Sequence, residues 1–212
     1  CRIAKSDEEP GATPHQQVML GLYQITWGAN QQQTALDDIA ESLSGPPALV
    51  MFYRDLRRSF PESHCRRIAE FGAVPVISWE LWNWGERTDG PERLPMINRG
   101  EYDDYFRNWA RELHAYNDPV FIRFGFEMNG DWFSWGGRDP DGFVAAWRRV
   151  HAIFAEENAT NAIWVWSPNI KSIPEVEIAS WNNMHNYYPG NDVVDWVALD
   201  GYNWGKTRNS NE

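Results

Sequence analysis

Glu127 is the residue best placed to do chemistry. It lies in the segment Phe124-Gly125-Phe126-Glu127-Met128-Asn129-Gly130-Asp131-Trp132-Phe133, directly after the apolar run Pro119-Val120-Phe121-Ile122 that reads as a buried strand. In a parallel barrel the loops after the strands build the active face. A carboxylic acid walled by Trp and Phe is partly desolvated, which disfavours the charged form and suits a general acid working near neutral pH. Other apolar runs also end in polar groups: Tyr53-Arg54-Asp55, Ser78-Trp79-Glu80, Trp166-Ser167-Pro168-Asn169 and Asp200-Gly201-Tyr202-Asn203-Trp204. If these strand ends converge on one mouth, Glu80 and Asp200 are candidate partners for Glu127, and their spacing does not choose between them.

Each of these groups has a plainer use. Glu80 could anchor its loop through hydrogen bonds. Asp200, before Gly201, could hold a turn through its own backbone. Arg123 alternates onto the face of Glu127 and reads as a buried cation for carboxylates. Tyr202 either bonds a carboxylate or lines the wall. His185 lies in a loop and is a candidate contact, whereas His114 and His151 fall within helices.

The elements must bring these ends together. Short apolar runs at 18–23, 48–53, 74–79, 120–126, 162–166 and 193–199 read as strands buried on both faces. Between them, helical spacing or punctuation marks 34–43, 61–71, 102–116 and 142–156, with a weaker helix over 174–184. Alternating strands and helices imply a parallel sheet with right-handed crossovers. Six strand–helix units at most are present, where a closed barrel of this kind has eight. A doubly wound sheet could stop at six, but Gly21 and Gly28 are wrongly spaced for a phosphate loop after the first strand. Residues 1–16 are polar and carry Pro10, Gly11 and Pro14, so they read as a leader, with one domain over 17–212.

Thirteen Trp in 212 residues is a high count. Trp27, Trp79, Trp82, Trp84, Trp132, Trp135, Trp166 and Trp204 fall near strand ends or in loops. Flat apolar plates beside Asn, Asp and Glu suit sugar rings, although many of these indoles would simply pack the core. A net charge of −11 argues against nucleic-acid and anionic-membrane partners. No apolar run is long enough to span a bilayer. Two Cys and five His show neither a disulfide framework nor metal-ligand spacing, so no metal or cofactor is expected. The chain starts at Cys1, as a cut product or a lipid-anchored mature end would.

With these motifs in view, the chain resembles glycoside hydrolase family 26. The resemblance rests on Glu127-Met128-Asn129-Gly130 with Trp132-Phe133-Ser134-Trp135-Gly136, on Ser78-Trp79-Glu80, and on Gly100-Glu101-Tyr102-Asp103. It continues through Trp164-Val165-Trp166-Ser167-Pro168-Asn169, Tyr188-Pro189-Gly190, Asp195-Trp196-Val197 and Asp200-Gly201-Tyr202-Asn203. The family contains β-mannanases and some mixed-linkage β-glucanases. The resemblance implies a (β/α)8 TIM barrel, about six of whose eight units are present here, and retaining hydrolysis by double displacement. It matches Glu127 to the acid/base, Tyr202 to a tyrosine near the nucleophile, and Trp132 and Trp135 to subsite aromatics. The expected substrate contacts are Trp79, Glu80, Trp132, Trp135, Asn169, Asp200, Tyr202 and Trp204.

Two departures stand out. The family usually has His before the acid/base, and this chain has Phe126, which would remove a hydrogen bond from the centre. The family's nucleophile ends a seventh strand, so it is expected beyond residue 212, and the last residue, Glu212, follows no apolar run. A chain ending there would leave strand edges open, and poor folding or inactivity is the expectation. The leading expectation is an endo-acting β-1,4-mannan hydrolase, extracellular or in the cell envelope, monomeric and without cofactor. The alternatives are a mixed-linkage β-1,3-1,4-glucanase and a non-catalytic carbohydrate-binding barrel.

Overall fold

The computed structural model describes residues 19–23, 38, 41, 45–86 and 92–202. The leader, most of the helix expected over 34–43, Trp27 and Trp204 lie outside the described residues.

Six parallel strands form one sheet: β1 (Gly21–Tyr23), β2 (Leu49–Arg54), β3 (Val74–Trp79), β4 (Val120–Phe124), β5 (Ala162–Trp166) and β6 (Trp196–Val197). Their spatial order follows the chain order without a reversal. A doubly wound sheet reverses direction at a switch point, whereas a barrel does not, so this sheet is an arc of a (β/α)8 barrel. Helices α1 (Glu62–Glu70), α2 (Arg93–Asn98), α3 (Asp103–Tyr116) and α4 (Pro140–Glu156) carry the crossovers. Among the described residues no helix is long and apolar enough to cross a membrane.

The helices form where side-chain spacing lets one stripe meet the sheet. In α4, Phe143, Ala146, Trp147, Val150, Ile153 and Phe154 are all buried. Asp139 caps that helix, accepting the Gly142 N–H at 2.9 Å, and Pro140 fits the first turn, so the helix starts three residues before the apolar stripe. In α3 the stripe is Phe106, Trp109, Ala110, Leu113 and Tyr116, closed by Asn117 in the left-handed region. Each large buried side chain contributes about 1.5–3 kcal/mol as an upper estimate.

One expectation needs correction, and one helix went unforeseen. Residues 174–184 do not form a helix. The chain there makes 3-10 turns at Ser180–Asn182 and Met184–Tyr187. Its ends are tied to another loop, because Ile173 N–H and the Asn182 amide both donate to the Asn129 carbonyl. Ile178, on the apolar side of that pattern, is 81% exposed and finds no core. Helix α2 was not expected from the sequence. It is short and contains Pro95, and it stands because Leu94 and Ile97 are buried and Asn98 donates to the Gly142 carbonyl of α4.

The strand register explains the site. Tyr53 pairs with Ser78, and Ser78 with Arg123, so these three share a level and point to the same side. Their neighbours Phe52, Ile77 and Phe124 point the other way, into the core under the helices, and are fully buried. The inward residues Leu49, Met51, Val74 and Val76 are only half-buried. At the two ends of the sheet Tyr23 on β1 and Trp196 and Val197 on β6 are exposed.

Candidate active site

The backbone of the β4 loop sets Glu127. Gly125 has φ +52°, and a Cβ there would stand 2.9 Å from the Phe143 ring and 3.0 Å from Leu81, so only glycine fits. Glu127 itself adopts φ +52°, a left-handed conformation costly for a residue with a side chain, by about 1–3 kcal/mol. The surroundings hold it there. Its N–H donates to the Ser167 carbonyl at 2.8 Å, and its carbonyl accepts the Gly130 N–H at 3.0 Å. The Trp132 indole N–H donates to Glu127 Oε2 at 2.6 Å. A Cβ on Gly130 would run into the Trp132 ring, so that glycine lets the indole reach the carboxylate. Glu127 keeps 6% exposure.

Beside it lies a buried cation. Arg123 donates from Nε to Ser167 Oγ at 3.0 Å, from Nη1 to Ser78 Oγ at 2.9 Å, and from Nη2 to the Asp200 carboxylate. Its guanidinium carbon sits 4.4 Å from the centroid of the Phe126 ring. Phe126 thus offers its π face to the cation, and its ring also approaches Tyr53 and Phe133 at 5.6 and 5.1 Å. Burial pulls the Arg123 guanidinium below its ordinary pKa, and Tyr53, Glu127 and Tyr202 oppose that shift. Burial also raises the Tyr53 hydroxyl, with Arg123 opposing.

Glu80 closes the other side. Its carboxylate accepts the Trp84 indole N–H, and its backbone N–H donates to the Arg54 carbonyl at 2.7 Å. Burial raises its pKa, the Trp84 and Trp82 indoles lower it, and the carboxylate of Asp55 raises it further. The loop bearing Trp84 is rigidly held. Its N–H donates to fully buried Asp55 at 2.8 Å, and the Arg58 guanidinium lies 4.7 Å from its ring centroid. Two glutamates at adjacent strand ends are therefore each capped by an indole N–H.

The sequence-predicted residues part company here. Glu80, Glu127, Trp132, Asp200 and Tyr202 come together at the strand ends. Tyr202 is 64% exposed and stands close enough to act electrostatically on both Tyr53 and Arg123. Asp200 does more than hold a turn, because it pairs with Arg123 and accepts Ser167 Oγ at 3.2 Å. Trp79 must be corrected. It is 0% exposed and stacks on Trp109 of α3 at 4.1 Å, on the helix side of the sheet, so it presents no plate to a ligand. Trp135 must be corrected as well. It is 1% exposed, stacked on Phe133 at 4.4 Å, and donates to the Phe126 carbonyl at 2.9 Å, so it props the loop from behind. Asn169 is buried behind the mouth, its carbonyl and N–H both bonded to the Asn129 amide.

Three residues of the site were not among the expected substrate contacts. Tyr53 ends its apolar run, but only the strand register puts it level with Ser78 and Arg123. Trp84 lies in Leu-Trp-Asn-Trp, a pattern that does not say which indole faces out. Asn129 is fully buried and bonds Asn169, Lys171 and Ser172 from 40 to 43 residues away in the chain, which no local signal reveals.

Comparison with known proteins agrees with this geometry. The family model described as glycosyl hydrolase family 26 matches residues 96–212. Endoglucanase H of Acetivibrio thermocellus is 29% identical over 143 residues, 65% of this chain and 14% of that protein. Mannan endo-1,4-beta-mannosidase A and B of Caldalkalibacillus mannanilyticus is 34% identical over 100 residues, 43% of this chain and 18% of that protein. Among solved structures, a GH26 beta-mannanase from Bacteroides ovatus superposes with a TM-score of 0.66 at 18% identity, over 89% of this chain and 63% of that one. The mannanase man26 of Bacillus subtilis gives 0.62 at 20% identity, over 87% and 64%. The chain thus spans under two thirds of these relatives, and at such identity the solved structures establish the barrel fold.

Proposed function

The chain belongs to glycosyl hydrolase family 26, and on that premise we propose that its protein is an endo-acting retaining hydrolase of β-1,4-mannan-type polysaccharide. Glu127 is the general acid/base. It gives its proton to the glycosidic oxygen as the bond to the anomeric carbon breaks, while a second carboxylate attacks that carbon. It then takes a proton from the water that releases the glycosyl group. The reading rests above all on one observation: Glu127 is held in a strained left-handed backbone at a strand end, its carboxylate bonded to a half-buried indole. Strain of this kind survives where the surroundings over-determine it, as at active sites.

Glu80, Tyr202 and the half-buried rings of Trp84 and Trp132 are the proposed sugar contacts, together with Trp204. Asp200 is committed to Arg123 and is a poor nucleophile in that pairing. The resemblance assigns the nucleophile to a glutamate ending a seventh strand, outside the described residues. A polymeric substrate fits an extracellular or cell-envelope location, and the reading requires no cofactor. The test is reducing-sugar release from β-mannan against mixed-linkage β-glucan by the full protein. Preference for mannan is expected, and release from β-glucan alone would overturn the substrate assignment.

A further inference from the structure

At the end of β2 stands a carboxylate that the mechanism leaves unused. Asp55 is 0% exposed, so it touches no sugar. A buried ion pair adds little net stability, and apolar side chains of similar volume often serve as well. What Asp55 orients explains it better. Beyond the strand ends the backbones of the β2 and β3 loops stay paired: Glu80 N–H donates to the Arg54 carbonyl at 2.7 Å, and Leu56 N–H to the Trp82 carbonyl at 3.0 Å. At Trp84 the Asp55 side chain takes over. Its Oδ2 accepts the Trp84 N–H at 2.8 Å and Arg57 Nε at 2.9 Å, and its Oδ1 lies 3.7 Å from Arg58 Nε. The same Arg58 covers the Trp84 ring, its guanidinium carbon 4.7 Å from the centroid. Tyr105 of α3 holds the backbone of that arginine, its hydroxyl donating to the Arg58 carbonyl at 2.8 Å. Glu86 closes the loop beyond Trp84, accepting the Asn83 N–H at 3.0 Å and Arg93 Nη2 at 2.6 Å.

We propose that Asp55 and Arg58 are positioning residues that together clamp Trp84 for sugar binding. The carboxylate fixes the Trp84 backbone, and the guanidinium occupies one face of the ring. The other face is left for a sugar, and the indole N–H stays on Glu80. This rests on the reading of Trp84 and Glu80 as sugar contacts. Neither clamp residue has to meet substrate. The need for a clamp follows from the local structure. Residues 80–86 form neither helix nor strand, and Trp84 is only half-buried, so packing alone does not set its ring. An unclamped indole would sample other rotamers, and the sugar would have to order it on binding, at a cost in affinity. A ring held in place beforehand avoids that cost.

The test measures kcat and KM on a β-1,4-linked mannohexaose for the full protein with Asp55→Ala, Asp55→Asn or Arg58→Met, each alone and combined with Trp84→Ala. Losing a hydrogen bond to a charged acceptor corresponds to roughly a tenfold effect. Asp55→Ala should therefore raise KM about tenfold, and Asp55→Asn, which keeps an oxygen for the Trp84 N–H, should recover most of that loss. Arg58→Met should raise KM about threefold. In the Trp84→Ala background neither Asp55→Ala nor Arg58→Met should raise KM further, because nothing is left to clamp. Losses that persist in that background would overturn the proposal. Should Asp55→Ala fail to fold, Arg58→Met decides by the same criterion, since that side chain is 53% exposed and its loss leaves the Asp55–Arg57 pair in place. If the unaltered protein does not cleave mannohexaose, or Trp84→Ala leaves KM unchanged, the sugar-contact reading fails separately. The clamp is then decided without substrate, by hydrogen exchange of the indole N–H groups in 15N-Trp-labelled protein. Faster exchange at Trp84 relative to Trp132 in the clamp variants supports it, and an unchanged ratio overturns it.

Discussion

Asn129→Ala should damage this protein more than any surface contact with sugar would explain. The Asn129 side chain is fully buried and donates to the Asn169 carbonyl at 2.9 Å, to the Lys171 carbonyl at 3.3 Å and to Ser172 Oγ at 3.1 Å. Its Oδ1 accepts the Asn169 N–H at 2.8 Å. Truncation therefore strands a buried donor and a buried acceptor on Asn169, each costing about 1–3 kcal/mol when unsatisfied. A loss of about 2–6 kcal/mol follows, which for a domain of this size is roughly 4–24 °C in Tm. Asn129→Asp should be at least as harmful, because the new oxygen would face the Asn169 and Lys171 carbonyls. Urea unfolding and calorimetry on the full protein measure the loss, and kcat on mannan should fall with it, since the same loop carries Glu127. A loss of under about 0.5 kcal/mol for Asn129→Ala would refute the argument that this amide joins the two loops.

Arg123→Met should cost about 3–5 kcal/mol in unfolding free energy, because Asp200 would lose its partner in a largely desolvated site; a neutral result would mean that water already satisfies that carboxylate. Trp79→Ala should destabilise by about 3–5 kcal/mol, while Trp132→Ala should lower kcat on mannan with a smaller stability loss; the reverse pattern would show that the assignment of core and mouth indoles is wrong. His64, packed on Phe52 near Arg54 and Arg67, is held by burial and then by those two cations at a pKa of about 4. Below its unfolded value near 6.5 the unfolded chain binds a proton that the native state refuses, so stability should fall as pH drops from about 6.5 to 4, by up to about 3 kcal/mol. His64→Phe should flatten that part of the stability–pH curve, and an unchanged slope would assign it to other groups.

Much of the frame was legible because barrel strands announce themselves as apolar runs between turn residues. The bounds of β3 and β5 match the apolar runs 74–79 and 162–166. The strand-end position of Glu127 followed from the same pattern. The direction of each Trp did not. Trp79 and Glu80 are neighbours, yet one enters the core and the other the mouth, because pleating sends successive residues to opposite faces. Pairing Ser78 with Arg123 would have turned Trp79 outward, but that pairing is a fact of register and not of local sequence. Helical spacing over 174–184 misled for a related reason. Bonds from Ile173 and Asn182 to Asn129, some fifty residues away in the chain, decide that backbone. The pull of Asn129 on three segments has no signature in composition or period.

The central claim is that Glu127 gives and takes the proton. Its most direct test is Glu127→Gln and Glu127→Ala in the full protein, assayed on mannan and on an aryl β-mannoside with a good leaving group. The polysaccharide rate should fall by at least about 100-fold, while departure of the activated aryl group should be far less impaired, since it needs little protonation. Full activity of Glu127→Gln on mannan would contradict the account.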